Sequence, residues 1–157
     1  MNATIETDSA QSRVQHQMSP LNRLVIQEVL EVTNRIESGR LAPVASQQAG
    51  IALQPLPLLG LVTYHYAVGI LPSREIEQQL WTNAAFRAVC GFAIPRWQLI
   101  RRFRRLNRSV IQGCLAEALR RAHTHPRLLP FVEPDLSAQA ATRIENAMLL
   151  DSEEDEQ

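Results

Sequence analysis

The chain has 157 residues, no net charge at pH 7 and a hydrophobic content of 45%. This length suggests one domain with tails, and the hydrophobic content can support one modest core. Its apolar runs fall well below the roughly 18 residues that span a bilayer. Residues 1–18 also lack the basic start and apolar centre of a signal peptide. We therefore expect a cytoplasmic protein that makes no membrane contact.

The zero net charge hides a strong asymmetry along the chain. Residues 87–127 contain ten arginines and one acidic residue, whereas residues 133–157 contain eight acidic residues and one arginine. All sixteen basic residues are arginine, whose planar guanidinium suits bidentate contacts to phosphate and guanine. A basic segment beside an acidic one indicates a polyanionic partner, and an acidic tail that competes for the basic surface.

The first helix is predicted between a proline start and a glycine stop. Residues 1–18 are expected to be disordered, and Ser19 with Pro20 is typical of a helix start. Apolar residues then recur at helical spacing until Gly39, a natural stop. Residues 40–54 keep no period and are interpreted as a connection.

The second helix is predicted to be central in the fold. Pro55 can open it and Gly69 can end it, and it is apolar on most sides in between. Tyr64, His65 and Tyr66 are interpreted as helix core with one exposed histidine. Past Gly69 the chain restarts as a further helix.

Two shorter helices are predicted next. Ser73 is a candidate N-cap for the first of them, and Asn83 for a short helix over residues 84–90 that Gly91 closes. Ile76 and Leu80 are expected to face inward.

An arginine-rich helix is predicted from Arg96 to about Leu106. Its inward stripe is expected to consist of Leu99, Ile100, Phe103 and Leu106. Five arginines within residues 101–108 cannot pack together in a core, because their charges would be buried without partners. These arginines are therefore expected to face water or a polyanion.

The last third of the chain is predicted to hold two more helices. One begins near Ser109 and ends at His123, and residues 126–136 form a proline-containing linker. An amphipathic helix is expected over residues 137–150, and an acidic disordered tail over residues 151–157. No segment shows strand alternation, so the prediction is an all-α fold of five to seven helices. Its parts are a tail (1–18), a helical domain (19–125) and a linker, helix and tail (126–157).

The short helix, the glycine turn and the arginine-rich helix, residues 84–106, have the spacing of a helix-turn-helix. In that unit the second helix enters the major groove while neighbouring groups hold phosphates. We therefore predict that double-stranded DNA is bound by Arg96, Arg101, Arg102, Arg104, Arg105 and Arg108. The alternatives are a solvated basic face on an ordinary helix and a basic groove for a protein partner.

Three segments also follow the order and spacing of a known family. They read LVTYHYAVGILPSREIEQQL (61–80), NAAFRAVCG (83–91) and IRRFRRLNR (100–108). With them, residues 56–122 resemble the transposase InsH N-terminal domain, which precedes the catalytic domain of many bacterial insertion-sequence transposases. Where that family usually has Asp-His-Ser/Thr, Pro95 is followed by Arg96, Trp97 and Gln98, so the arginine helix is expected to begin differently.

The resemblance implies a DNA-binding module, with the terminal repeats of an element as targets. It also implies a second copy of the chain or a transposase as a partner. Transposases of this kind cut DNA with an Asp, Asp, Glu triad that binds two metal ions on an RNase H-like domain. Only 35 residues follow Ala122, so we expect a truncated, non-catalytic chain without cofactor or metal.

A zinc site is not expected, whereas two other functions remain open beside this interpretation. Cys90, Cys114, His123 and His125 fit no common zinc spacing, and the thiols are interpreted as free and buried. A protein-interaction or dimerisation module would pair the apolar helices over residues 21–38 and 110–122 with another chain. A decaying transposase fragment would have no selected activity.

Overall fold

The computed structural model describes residues 19–44, 54–83, 94–124 and 135–155. These ranges hold helices α1 (Pro20–Thr33), α2 (Pro55–Ala67), α3 (Ser73–Thr82), α4 (Trp97–Leu106), α5 (Arg108–His123) and α6 (Leu136–Asp155), and a 3-10 turn at Ser38–Arg40. They contain no strand, so the predicted all-α fold is confirmed. The predicted tail 1–18, the predicted short helix 84–90 and residues 126–134 of the predicted linker 126–136 lie outside the described residues. Of the predicted helix-turn-helix, only the second helix is described.

The helix ends follow the capping residues in the sequence. The Ser19 hydroxyl accepts a hydrogen bond from the backbone N–H of Asn22 at 3.2 Å, and Pro20 is the first residue of α1. α1 ends at Thr33, before the predicted stop at Gly39, and the chain continues into the 3-10 turn. At the end of α2, Gly69 adopts a φ of 88°. This left-handed conformation lets the N–H of Ile70 donate to the carbonyl of His65 at 2.8 Å, as in a Schellman motif.

α2 is the centre of the core. Every residue from Leu58 to Tyr66 is buried, and α1, α4 and α5 pack around it. The apolar sides of α1 and α5 also pack against each other, and Val29 and Leu115 are fully buried there. These two sides are the surfaces on which the protein-interaction alternative depended. In the folded chain both sides are packed in the core of the molecule.

The prediction that His65 is exposed is wrong, because this residue is fully buried. The helix around it is enclosed on all sides, so no position near its middle reaches solvent. Its Nδ1 lies 2.8 Å from the carbonyl oxygen of Leu61. Burial lowers the pKa of His65 to about 4, so the ring is neutral at pH 7 and Nδ1–H is the donor in this contact.

Asn107 fixes the junction between α4 and α5. It is buried, and its side-chain oxygen accepts from the N–H of Ala42 at 2.7 Å. Its amide nitrogen donates to the carbonyls of Ala42 at 3.2 Å and Phe103 at 3.1 Å. One side chain thus ends α4 and attaches the connection after α1 to it. Leu106, predicted to face inward, is 52% exposed at this junction.

α6 packs along α5 through an apolar stripe. Leu136, Ala140, Ile144 and Ala147 are buried in this contact. Arg143 donates to the carbonyls of Tyr66 and Ala67 at 2.7 and 2.8 Å, near the end of α2. No helix in the described part of the chain is long and apolar enough to cross a membrane.

α6 extends into the segment that was predicted to be a disordered acidic tail. Residues 151–155 were expected to be disordered, but they continue the helix to Asp155. Arginines on the neighbouring helices α3 and α4 form ion pairs with these residues.

Candidate nucleic-acid interface

α4 begins with a cap supplied by another helix. Arg96 stands at its N-cap and makes no side-chain capping bond. Instead, the carboxylate of Glu77 on α3 accepts the N–H of Trp97 at 2.8 Å. A carboxylate at a helix N-terminus is stabilised by the helix dipole. The acidic group at the start of α4 therefore comes from α3 and not from the preceding turn.

The predicted DNA-binding arginines fall into two groups on α4 and at the start of α5. Arg96, Arg102 and Arg105 are exposed, and we name them the outer arginine face. Within the described ranges no hydrogen bond or ion pair engages their side chains. Gln98, also exposed, lies on the same side of α4 as Arg102 and Arg105 by helical spacing. The outer arginine face therefore presents three guanidinium groups that no described residue neutralises.

The other three, Arg101, Arg104 and Arg108, face α6, and we name them the inner arginine face. Each forms an ion pair with an acidic residue of α6. The expectation that all five arginines of this run face water or a polyanion is wrong for Arg104, whose side chain is only 6% exposed, and for Arg101, whose side chain is 11% exposed. The physical reason is that the carboxylate of Asp151 pairs with both guanidinium groups inside the molecule.

Arg104 is held on several sides. One terminal nitrogen lies 2.7 Å from a carboxylate oxygen of Asp151, and the other donates to the hydroxyl of Tyr66 at 3.0 Å. The same nitrogen lies 3.5 Å from the hydroxyl of Ser73. Burial alone would lower the pKa of Arg104, but its contacts with Tyr66 and Asp151 outweigh burial and leave that pKa raised. The guanidinium is therefore permanently charged.

Asp151 sits at the N-terminus of α3. Its carboxylate accepts the N–H of Ser73 at 2.9 Å and the hydroxyl of Ser73 at 2.5 Å. Ser73 was predicted to be the N-cap, but Pro72 occupies that position and Ser73 is the first helical residue. Helix N-termini attract anions through their free N–H groups and dipole. Asp151 thus combines a helix N-terminus with two arginines around one carboxylate.

Arg101 reaches three acidic residues of α6. Its Nη1 donates to Asp155 at 2.6 Å, while Nε lies 3.3 Å from Asp151 and Nη2 lies 3.6 Å from Glu154. The hydrogen bond from Arg101 is the largest cause of a lowered pKa at Asp155. These contacts gather the end of α6 onto one guanidinium group.

Trp97 lies beside this cluster and not in the core. Its ring is half-buried and lies 4.2 Å from the guanidinium carbon of Arg101 and 4.7 Å from that of Arg74. Both distances suit cation–π contacts. Arg74, on α3, also lies 3.5 Å from Glu154. Arg74 is therefore a basic residue of this surface that the sequence reasoning missed.

The remaining member of the inner face is more loosely held. Arg108 lies 3.2 Å from Glu145, and both side chains are largely exposed. Ion pairs between exposed side chains contribute about 0–1 kcal/mol to stability. This contact is therefore much weaker than the one at Arg104.

Sequence reasoning also missed Asp151, Ser73, Tyr66 and Glu77 as members of this surface. The one signal for them was the opposite charge of residues 87–127 and 133–157, which indicated an acidic segment competing for the basic surface. Charge alone could not select Asp151 among eight acidic residues, because the choice depends on how α6 packs against α5.

Two features bear on metals and thiols. Among the residues that the structure describes, no group of three or more His, Cys, Asp or Glu side chains is arranged to hold a metal ion. Cys114 is a buried free thiol, as predicted, and burial raises its pKa to about 11. Cys90 and His125 lie outside the described residues.

Comparisons of the chain with protein-family models, with curated proteins and with solved structures found no match. The likeness to the transposase domain thus remains one of short motifs, and function has to be argued from the arginine surface itself.

Proposed function

We propose that this chain is a non-catalytic module that binds double-stranded DNA through α4. The observation that carries the proposal is the outer arginine face: Arg96, Arg102 and Arg105 are exposed and unneutralised by any described residue. Arg102 and Arg105 stand three residues apart on one helix, so their charges repel each other, and phosphates would relieve that repulsion. Arginine contacts to the DNA backbone also release counterions, which supplies much of the affinity of such proteins.

The charge distribution favours DNA over an ordinary solvated face. Acidic residues on α1 and α5 pair with arginines of their own, as Glu31 does with Arg35 and Glu117 with Arg120. Among the described residues no such pair forms on the outer face, although the chain carries equal numbers of acidic and basic residues. A surface kept free of acids in a neutral chain is suited to a polyanion.

The motif resemblance supports the same function. The segment IRRFRRLNR forms α4 and the α4–α5 junction, where Arg102 and Arg105 project outward. The proposal therefore extends to the terminal repeats of an insertion sequence as the target, and to a transposase or a second copy as partner. The competing interaction module depended on the apolar sides of α1 and α5, which are packed in the core.

Fluorescence anisotropy of a labelled duplex tests the proposal. Binding is measured between about 50 mM and about 200 mM salt for the wild type and for R102A/R105A. The control is R35A/R120A, which removes two exposed arginines, one just after α1 and one on α5. We expect R102A/R105A to bind more weakly and its log–log salt slope to flatten by about 0.9 per lost phosphate contact.

Two results would contradict the proposal. One is the absence of wild-type binding to random and element-end duplexes even at the lowest salt. The other is equal weakening by R102A/R105A and R35A/R120A, which would reduce the effect to net charge.

A further inference from the structure

The end of α6 is attached to the rest of the molecule without apolar burial. Beyond Ala147, the side chains of Met148, Leu149 and Leu150 are exposed. Asp151 is the one buried residue in the range 148–155, and its contacts are polar. The first three turns of α6 are thus held by hydrophobic packing, and the last two turns by charge.

We define residues 151–155 as the acidic end of α6. Its charge destabilises the last turns of the helix. It carries four carboxylates in the last turns, at Asp151, Glu153, Glu154 and Asp155, and no basic residue. The C-terminus of a helix bears a partial negative charge, so carboxylates there are unfavourable. Without the arginines of α3 and α4, these turns would tend to unwind.

The acidic end satisfies Arg101 only in part. Nη1 of Arg101 has a good hydrogen bond to Asp155, but Nε and Nη2 are buried without a hydrogen-bond partner among the described residues. An oxygen of Glu154 is in the same condition. Buried donors without partners are unfavourable, because they have lost water and gained no acceptor in its place. A different anion could serve this guanidinium better.

The groups around Asp151 form a site that suits a phosphate. The N–H and hydroxyl of Ser73, Arg104 and Arg101 converge on the two oxygens of one carboxylate. Two non-bridging phosphate oxygens present a similar pair of acceptors, and helix N-termini and arginines are common phosphate ligands. The inner arginine face and Arg74 lie around this position.

We propose that the acidic end of α6 is a removable cover over a second half of the DNA interface. This inference rests on the proposed function and adds its regulation. DNA backbone phosphate competes with the carboxylates of Asp151, Glu154 and Asp155 for Arg74, Arg101 and the N-terminus of α3. When the last two turns of α6 detach, Arg101 and Arg104 lose their carboxylate partners and join the outer face in binding. In the closed state only the outer face binds. The apparent affinity of the complete interface is therefore its intrinsic affinity multiplied by the fraction of molecules that are open.

A pair of charge-matched variants tests the cover. E154Q/D155N removes two carboxylates that face Arg101 and Arg74. E37Q/E153Q removes two exposed carboxylates that make no contact with an arginine among the described residues, and because Glu153 lies in the acidic end it also controls for the loss of charge at the helix C-terminus. Both changes raise the net charge by two, so any difference between them is local. Anisotropy of a labelled duplex is measured for both variants, for the wild type and for R102A/R105A.

We expect E154Q/D155N to bind the duplex on the order of tenfold more tightly than E37Q/E153Q at about 100 mM salt, the effect of about one added phosphate contact. Its salt slope should be steeper by about 0.9 for the same reason. Hydrogen exchange gives a second signature in the wild type. Saturating duplex should slow exchange in α4 and accelerate it in residues 148–155, because DNA displaces that segment.

The outcomes separate the two proposals. If the wild type binds and R102A/R105A weakens binding, but E154Q/D155N equals E37Q/E153Q and residues 148–155 become protected on binding, the cover is refuted and the DNA-binding function stands. If no variant binds duplex at any salt concentration, the function fails and the cover fails with it.

Discussion

Arg104 and Asp151 form a buried ion pair whose stability depends on its neighbours. Removing two charges from water costs several kcal/mol per ion, and mutual attraction compensates only when other hydrogen bonds complete the geometry. Here Tyr66 and Ser73 supply those bonds. Removing one member leaves the other charged and unpaired in the interior.

We therefore predict that D151A lowers the free energy of unfolding by about 3–5 kcal/mol, because Arg104 and the N–H of Ser73 lose their partner. D155A should change it far less, since Asp155 is exposed and its ion pairs are screened by solvent. Urea denaturation measures both values. The double change R104M/D151L should recover much of the loss, because it removes both charges together. Equal effects of D151A and D155A would contradict this account.

His65 should make stability depend on pH in a defined window. Burial lowers its pKa to about 4 from the ordinary 6.5. Between these values the unfolded chain binds a proton that the folded chain does not, so stability is complete above about pH 6.5 and falls as pH drops to about 4. The His65 contribution lost over that window is about 3 kcal/mol.

The measurement is urea denaturation at about pH 7 and about pH 4.5 for the wild type, H65Q and H123Q. The stability difference between the two pH values should shrink in H65Q, while H123Q, altered at an exposed residue at the end of α5, should retain it. A pH dependence that H65Q keeps in full would show that other groups cause it.

At the scale of elements, helix starts and the central role of α2 could be predicted from Pro20, Pro55 and an unbroken apolar pattern, because capping and periodicity are local signals. The arginine helix was predicted within one residue for the same reason. The last turns of α6 could not be predicted. Their helicity depends on Arg101 and Arg74, which are far away in the sequence.

The site shows the same division between local and distant causes. The six arginines could be found from their run in the sequence, but not their separation into an outer and an inner face. That separation arises because α6 packs against α5 and brings Asp151 to the N-terminus of α3. Which arginine is buried is therefore a property of tertiary packing.

Gly69 and Gly113 have different backbone conformations, so replacing each by alanine should change the stability in opposite directions. Gly69 has a φ of 88° after α2, whereas Gly113 is an exposed helical residue of α5, and a Cβ at either position meets no atom within 4 Å. G69A should cost about 1 kcal/mol, because an L residue is strained in the left-handed region. G113A should stabilise by about 0.5–1 kcal/mol through helix propensity. Thermal denaturation compares them, and a stabilising G69A would contradict the argument.

At the scale of the whole molecule, the chain is neutral because its basic and acidic segments balance, and the fold brings part of the two together. The core that includes α2 is held by apolar burial, which salt scarcely weakens. The acidic end of α6 is held by charge, which salt screens. Two parts of one molecule should therefore respond differently to ionic strength.

We predict that raising salt from about 0.1 M to about 1 M, which shortens the Debye length from about 10 Å to about 3 Å, accelerates hydrogen exchange in residues 151–155. Amides of α2 should not change, because their exchange requires opening of the apolar core. In E154Q/D155N the hydrogen exchange of residues 151–155 should already be fast at low salt. Raising the salt concentration should then accelerate it only slightly. Salt-independent protection of these residues in the wild type would mean that packing, and not charge, holds the acidic end in place. Detachment by a phosphate backbone would then lack its physical basis.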